Sequence, residues 1–72
     1  MKKVFKLDEV DCANCAAKMQ AAIEKIDGVN MASVNFILQK LTIDADEERF
    51  EAILDEAQRL IRKIEPDCEI IR

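Results

Sequence analysis

Two cysteines three residues apart are the residues of this sequence best suited to chemistry. Cys12 and Cys15 lie in the segment that joins a predicted strand to a predicted helix. A helix N-terminus favours a thiolate over a thiol, and thiolates prefer soft or borderline metals such as copper(I), zinc and their heavier relatives. The spacing therefore predicts a metal-binding loop. It leaves two alternatives open, namely a dithiol redox pair and two small core residues.

The composition excludes several classes of site and partner. The chain has no histidine, which excludes histidine-based catalysis and histidine-ligated metal sites. Its three cysteines are too few for a closed zinc site with four cysteine ligands or for a disulfide-stapled secreted domain. The 11 basic and 15 acidic residues give a net charge of −4, which argues against nucleic-acid binding. Without an apolar run of membrane-helix length or a signal peptide, we expect a reducing, cytoplasmic location.

Hydrophobic periodicity predicts the elements that must position this loop. Alternating apolar residues indicate strands, and apolar residues at spacings of three and four indicate amphipathic helices. The predicted strands are residues 3–9, 29–37, 40–45 and 68–71, and the predicted helices are residues 14–26 and 47–64. Gly28 is expected at the C-terminal cap of the first helix. Asp46 is expected to cap the second helix, and Pro66 to end it.

The predicted order β-α-β-β-α-β favours one architecture. Short links and right-handed crossovers lead to an α+β, ferredoxin-like sandwich, in which two helices cover one face of a four-stranded antiparallel sheet. Residues 1–72 then form a single domain. The apolar stripes, including Phe36 and Phe50, are expected to supply a core that folds without metal.

Antiparallel pairing of the last strand with the first would place residues 65–68 at the same edge as the metal loop. Cys68 shares a strand face with Ile70, which predicts a small buried residue. Whether Cys68, Glu65 or Asp67 assists the site is left open.

The motif Asp-Cys-Ala-Asn-Cys at 11–15, the stretches KIDGV at 25–29 and SVNF at 33–36, and the element order resemble the heavy-metal-associated domain family. The resemblance covers essentially the whole chain. Such domains occur as small soluble metal chaperones and as N-terminal modules of heavy-metal-transporting P-type ATPases. Val10, Cys12 and Cys15 match the family signature, whereas Glu9 stands where glycine is usual. The resemblance implies that both cysteines are metal ligands and that Val10 packs the loop onto the core.

Asp11 occupies the variable position of that signature. The resemblance implies a divalent ion, because domains from zinc-, cadmium- and lead-exporting ATPases often carry Asp there, whereas copper(I) modules more often carry Thr or Ser. Charge favours the same ions, since one like-charge repulsion at roughly 4 Å costs about 4 kcal/mol at an effective dielectric constant of about 20. We therefore expect Cys12, Cys15 and Asp11 to bind Zn(II), Cd(II) or Pb(II), with Cu(I) as the alternative. A solvated loop charge is the other interpretation of Asp11.

The expected function is to hold a soft divalent ion in an open site and to transfer it by ligand exchange, as a module of a heavy-metal-exporting P-type ATPase. The segment is not expected to be an enzyme by itself, because ATP hydrolysis would belong to a parent chain. The expected partners are the metal ion and other domains of that membrane ATPase. We expect a monomer with no nucleic-acid partner and no direct membrane insertion. A stand-alone copper(I) chaperone and a dithiol redox protein are the alternatives.

Overall fold

The computed structural model describes residues 1–10 and 12–72. Its elements are β1 (Lys2–Asp8), α1 (Ala13–Glu24), β2 (Val29–Asn35), β3 (Lys40–Ala45), α2 (Phe50–Ile64) and β4 (Glu69–Ile71). A short 3-10 turn, Glu47–Arg49, precedes α2. The predicted element order is confirmed. The predicted ends differ from the observed ones by two residues or fewer, except at the start of α2, where the 3-10 turn occupies the predicted first turn.

The four strands form one antiparallel sheet in the order β2-β3-β1-β4. Within it, β1 pairs with β3, where Phe5 lies opposite Leu41, and with β4, where Leu7 lies opposite Ile70. The end of β1, the β2–β3 turn and the start of β4 therefore meet at one edge of the sheet. The predicted ferredoxin-like fold is confirmed, and this edge is where the chain leaves β1 toward the two cysteines.

The core lies between the sheet and the two helices. Within the helices and strands, its largest fully buried side chains come from β1 and β3 (Leu7, Leu41, Ile43), from α1 (Met19, Ile23) and from α2 (Ile53, Ile61). The phenylalanines expected there differ, since Phe50 is 4% exposed whereas Phe5 and Phe36 are only partly buried against the core. The Phe50 ring also packs on Phe5, with ring centroids 6.3 Å apart.

The helix ends differ from the sequence-based expectation at two residues. Asp46 is the N-cap residue of the 3-10 turn that leads into α2, but its side chain makes no capping hydrogen bond; its carbonyl accepts the Arg49 N–H at 3.0 Å. The C-terminal cap residue of α1 is Lys25 rather than Gly28. Gly28 adopts φ 96° in the turn that leads into β2, where the Val29 N–H donates to the Ile26 carbonyl. Such a turn position favours glycine.

Pro66 acts as predicted. The helix α2 ends at Ile64, and Glu65 is extended with φ −132° and ψ 100°, the region favoured for a residue before proline. In the part of the chain that the structure describes, neither helix is long and apolar enough to cross a membrane.

Candidate metal site

The cysteine pair lies on the first turn of α1. Cys12 is the N-cap residue, with extended backbone angles, and its Sγ accepts a hydrogen bond from the Cys15 N–H at 3.4 Å. Its carbonyl accepts the Ala16 N–H at 3.0 Å and so starts the helical ladder. A thiol thus occupies the capping position that Ser, Thr, Asp or Asn usually fills, and the positive end of the helix faces its sulfur. Both cysteine side chains are partly exposed.

The two thiols differ in acidity. Hydrogen bonds from the backbone N–H of Cys15, and then from its side chain, lower the pKa of Cys12 because they stabilise the thiolate. The hydrogen bond to the Cys12 sulfur, followed by burial and by the Cys12 charge, raises the pKa of Cys15 to about 11. At neutral pH, Cys15 therefore holds a proton in the metal-free site. Since that proton must leave before the sulfur can bind a metal ion, metal affinity increases with pH.

One carboxylate from the far end of the chain contacts this pair. Glu65, directly after α2, places its Oε2 3.6 Å from the Cys15 Sγ. Of the other two residues at this edge, Asp67 is exposed and Cys68 is fully buried in the core, as predicted from its shared face with Ile70. Among the described residues, no three Cys, Asp or Glu side chains are grouped so as to hold a metal ion. Asp11, the remaining predicted ligand, lies outside the described residues.

Glu9 and Val10 lead into the cysteines, one with an unusual backbone conformation and the other with a buried side chain. Val10 is 1% exposed and packs into the core, in agreement with its expected anchoring role. Glu9 adopts φ 63°, a left-handed conformation that costs a non-glycine residue about 1–2 kcal/mol. Glycine would avoid this cost, which gives a physical reason for its usual presence at this position.

The sequence pattern did not indicate one contact of this loop. Gln39, in the β2–β3 turn, reaches across the sheet edge and forms hydrogen bonds with the backbone of Val10. The hairpin link Ile37-Leu38-Gln39 contains no Gly, Asn or Asp. Gln39 itself supplies the left-handed residue of this turn, with φ 55°.

A family model and a similar protein of known name both indicate the same family for this chain. The sequence model of the heavy-metal-associated domain family matches residues 4–68 of this chain. The chain is 32% identical over 70 residues to a cadmium, zinc and cobalt-transporting ATPase of Bacillus subtilis (strain 168). That match covers 97% of this chain and 10% of the relative, so the chain spans about a tenth of the length of that protein.

Solved structures share the fold. The CopZ metallochaperone superposes with a TM-score of 0.75 at 17% identity, covering 99% of this chain and 100% of its own. The N-terminal domain of a potential copper-translocating P-type ATPase from Bacillus subtilis, solved with Cu(I), has a TM-score of 0.74 at 28% identity, covering 96% of this chain and 81% of its own. Because the family model spans the cysteine loop and nearly all of the elements that position it, this chain belongs to the heavy-metal-associated domain family.

Proposed function

We propose that this domain binds a soft divalent ion, Zn(II), Cd(II) or Pb(II), through Cys12, Cys15 and Asp11, and passes it on by ligand exchange. The observation that carries the proposal is the pair of partly exposed thiols on the first turn of α1, one of them with a lowered pKa. A lowered pKa marks a thiol that binds metals readily, because the thiolate is the ligand. Partial exposure leaves room for the ligands of an acceptor.

The two thiols support a stepwise exchange. Cys12 is the better first ligand, because the helix end already stabilises its thiolate. Cys15 then binds as its proton leaves, and the same two steps in reverse release the ion. An open site with few protein ligands suits transfer, whereas a closed four-ligand site suits a structural role.

Charge supports divalent ions over Cu(I). Two thiolates and the Asp11 carboxylate would leave two excess negative charges around Cu(I) but only one around a divalent ion. Glu65 adds a further carboxylate beside Cys15 and strengthens the same preference. The Bacillus subtilis relative is named for cadmium, zinc and cobalt transport, which also favours divalent cargo.

We propose that the domain works as a cytoplasmic metal-binding module of an ATP-driven metal exporter. The likeness to a transporting ATPase over 97% of this chain supports this context. In this assignment the domain performs no catalysis, and its partners are the ion and the other domains of the ATPase. A stand-alone copper(I) chaperone is the second candidate, favoured by the fold shared with a metallochaperone over the whole of that chain.

Replacing Asp11 with Thr tests the preference between ions. We expect Asp11→Thr to lower the ratio of Zn(II) affinity to Cu(I) affinity about tenfold or more, equivalent to about 1.4 kcal/mol, because a negative oxygen ligand is lost. Chelator competition, run separately for each ion, measures the ratio. Asp8→Thr is the matched control, since it removes the same charge from an exposed position at the end of β1. An unchanged ratio in Asp11→Thr, or an equal drop in Asp8→Thr, would contradict a specific role for Asp11.

A further inference from the structure

We propose that Gln39 is a positioning residue for the metal loop, because its side chain fixes the backbone of Val10, two residues before Cys12. The consequence for metal affinity rests on the function proposed above. The consequence for loop order does not, and it can be measured without metal.

Gln39 connects three segments at this edge of the sheet. Its Oε1 accepts the Val10 N–H at 2.9 Å, and its Nε2 donates to the Val10 carbonyl. The same Nε2 donates to the Phe36 carbonyl at 2.7 Å, and the Gln39 main-chain carbonyl accepts the Leu7 N–H at 2.8 Å. One residue therefore joins the end of β1, the loop before the cysteines and the β2–β3 turn.

The carboxamide acts on Val10 as a neighbouring strand would. A strand offers a donor and an acceptor to the residue that it pairs with, and a carboxamide carries the same two groups. The ladder between β1 and β3 extends to the pair Lys6 and Lys40, and Glu9 then turns the chain through its left-handed conformation. Because Val10 is 1% exposed, an unpaired N–H or carbonyl at this residue would be shielded from water and would destabilise the loop.

Backbone conformation supports a specific role for this side chain. Glu9 and Gln39 are the two non-glycine residues with positive φ in the described part of the chain, and both adjoin the Val10 contact. Glycine would occupy the Gln39 position at lower conformational cost. Strained backbone at a non-glycine residue often accompanies a functional constraint, and here the glutamine side chain supplies hydrogen bonds that glycine lacks.

Gln39 restrains Val10, two positions before Cys12, and the first turn of α1 restrains Cys12 itself. A site held in place before binding loses less conformational freedom when the ion arrives. Loss of the Gln39 side chain should therefore weaken metal binding while leaving the core intact.

The test uses two Gln39 variants and one matched control. Gln39→Gly removes the side chain and relieves the positive φ, so the overall fold is retained. Gln39→Glu keeps the shape and the acceptor for the Val10 N–H but removes the donor to the Val10 and Phe36 carbonyls. Gln58→Ala is the control, because Gln58 makes the same kind of double contact on β4, with the Ile70 N–H at 2.7 Å and the Cys68 carbonyl at 3.1 Å.

Two readouts are measured: amide hydrogen exchange in the metal-free protein, and Cd(II) affinity by chelator competition. We expect Gln39→Gly to accelerate exchange at Val10 and in residues 12–15 and to weaken Cd(II) binding about tenfold, the usual scale for a residue that orients ligands. Gln39→Glu should also accelerate exchange at Val10, because a carboxylate oxygen then faces the Val10 and Phe36 carbonyls. Gln58→Ala should leave both readouts at the loop nearly unchanged.

Unchanged exchange at Val10 in Gln39→Gly would overturn the positioning role, as would an equal loss of Cd(II) affinity in Gln58→Ala. Faster exchange at Val10 together with unchanged Cd(II) affinity would overturn the link to metal binding. If the wild-type domain binds no Cd(II), the proposed function fails, and exchange at Val10 alone then decides whether Gln39 orders the loop.

Discussion

Cys12→Ser and Cys15→Ser should each weaken Zn(II) and Cd(II) binding by orders of magnitude while the domain stays folded. A hydroxyl is a much poorer ligand for soft ions than a thiolate, and an open site with few ligands depends strongly on each one. Both side chains are partly exposed, and Cys15 packs against the edge of the core, so little packing is lost. Chelator competition gives the affinity, and circular dichroism of the same samples reports the fold.

Cys68→Ala is the control for these two variants. It removes the third thiol of the chain, but from a fully buried position in the core. We expect a modest loss of stability and a nearly unchanged affinity for Zn(II). Wild-type affinity in either Cys12→Ser or Cys15→Ser would contradict the proposed ligands. A large loss in Cys68→Ala would instead indicate a three-thiolate site.

The metal-free domain should be folded, and Phe50→Ala should unfold much of it. Truncating a buried phenylalanine costs about 3–5 kcal/mol, which is comparable to the total stability of a domain of this size. Phe50 is 4% exposed and packs on Phe5, so its loss leaves a cavity between α2 and the sheet. Urea denaturation of the protein in excess chelator, followed by circular dichroism, measures the free energy of unfolding.

Phe36→Ala is the matched comparison, because it removes the same ring from a partly buried position. We expect a clearly smaller loss of stability than in Phe50→Ala. An equal or larger loss would mean that the ring at the β2–β3 end carries more of the core than its burial indicates. A random-coil spectrum for the chelated wild-type domain would contradict a metal-independent core.

The periodic elements could be predicted from the sequence because burial on one face imposes a visible pattern. Leu41 and Ile43 alternate with polar residues in β3, and Met19 and Ile23 repeat at helical spacing in α1; all four are fully buried. The placement of Cys68 followed from the same reasoning, since its register with Ile70 decided its direction. In such local patterns, the apolar residues mark the face of a helix or strand that is buried in the folded chain.

Features that depend on tertiary contacts could not be predicted in this way. Antiparallel pairing of the last strand with the first predicted that Glu65 lies at the edge of the metal loop, but no local pattern encodes its contact with Cys15, 50 positions away. The first turn after Asp46 is a 3-10 turn rather than the first turn of α2, and the Asp46 side chain makes no capping hydrogen bond there. The Gln39 contact with Val10 depends on how the hairpin turn meets the loop across the sheet edge, which only the folded chain determines.

The most direct test of the central claim is a Cd(II) titration of the reduced domain, followed by the ultraviolet charge-transfer absorption of cadmium–thiolate bonds. We expect the absorption to grow linearly and to saturate at one equivalent of Cd(II) per chain. In the Cys12→Ser/Cys15→Ser double variant, the absorption should be absent although Cys68 remains. Failure to saturate in the wild-type domain, or an absorption that persists in the double variant, would contradict a soft divalent ion bound by Cys12 and Cys15.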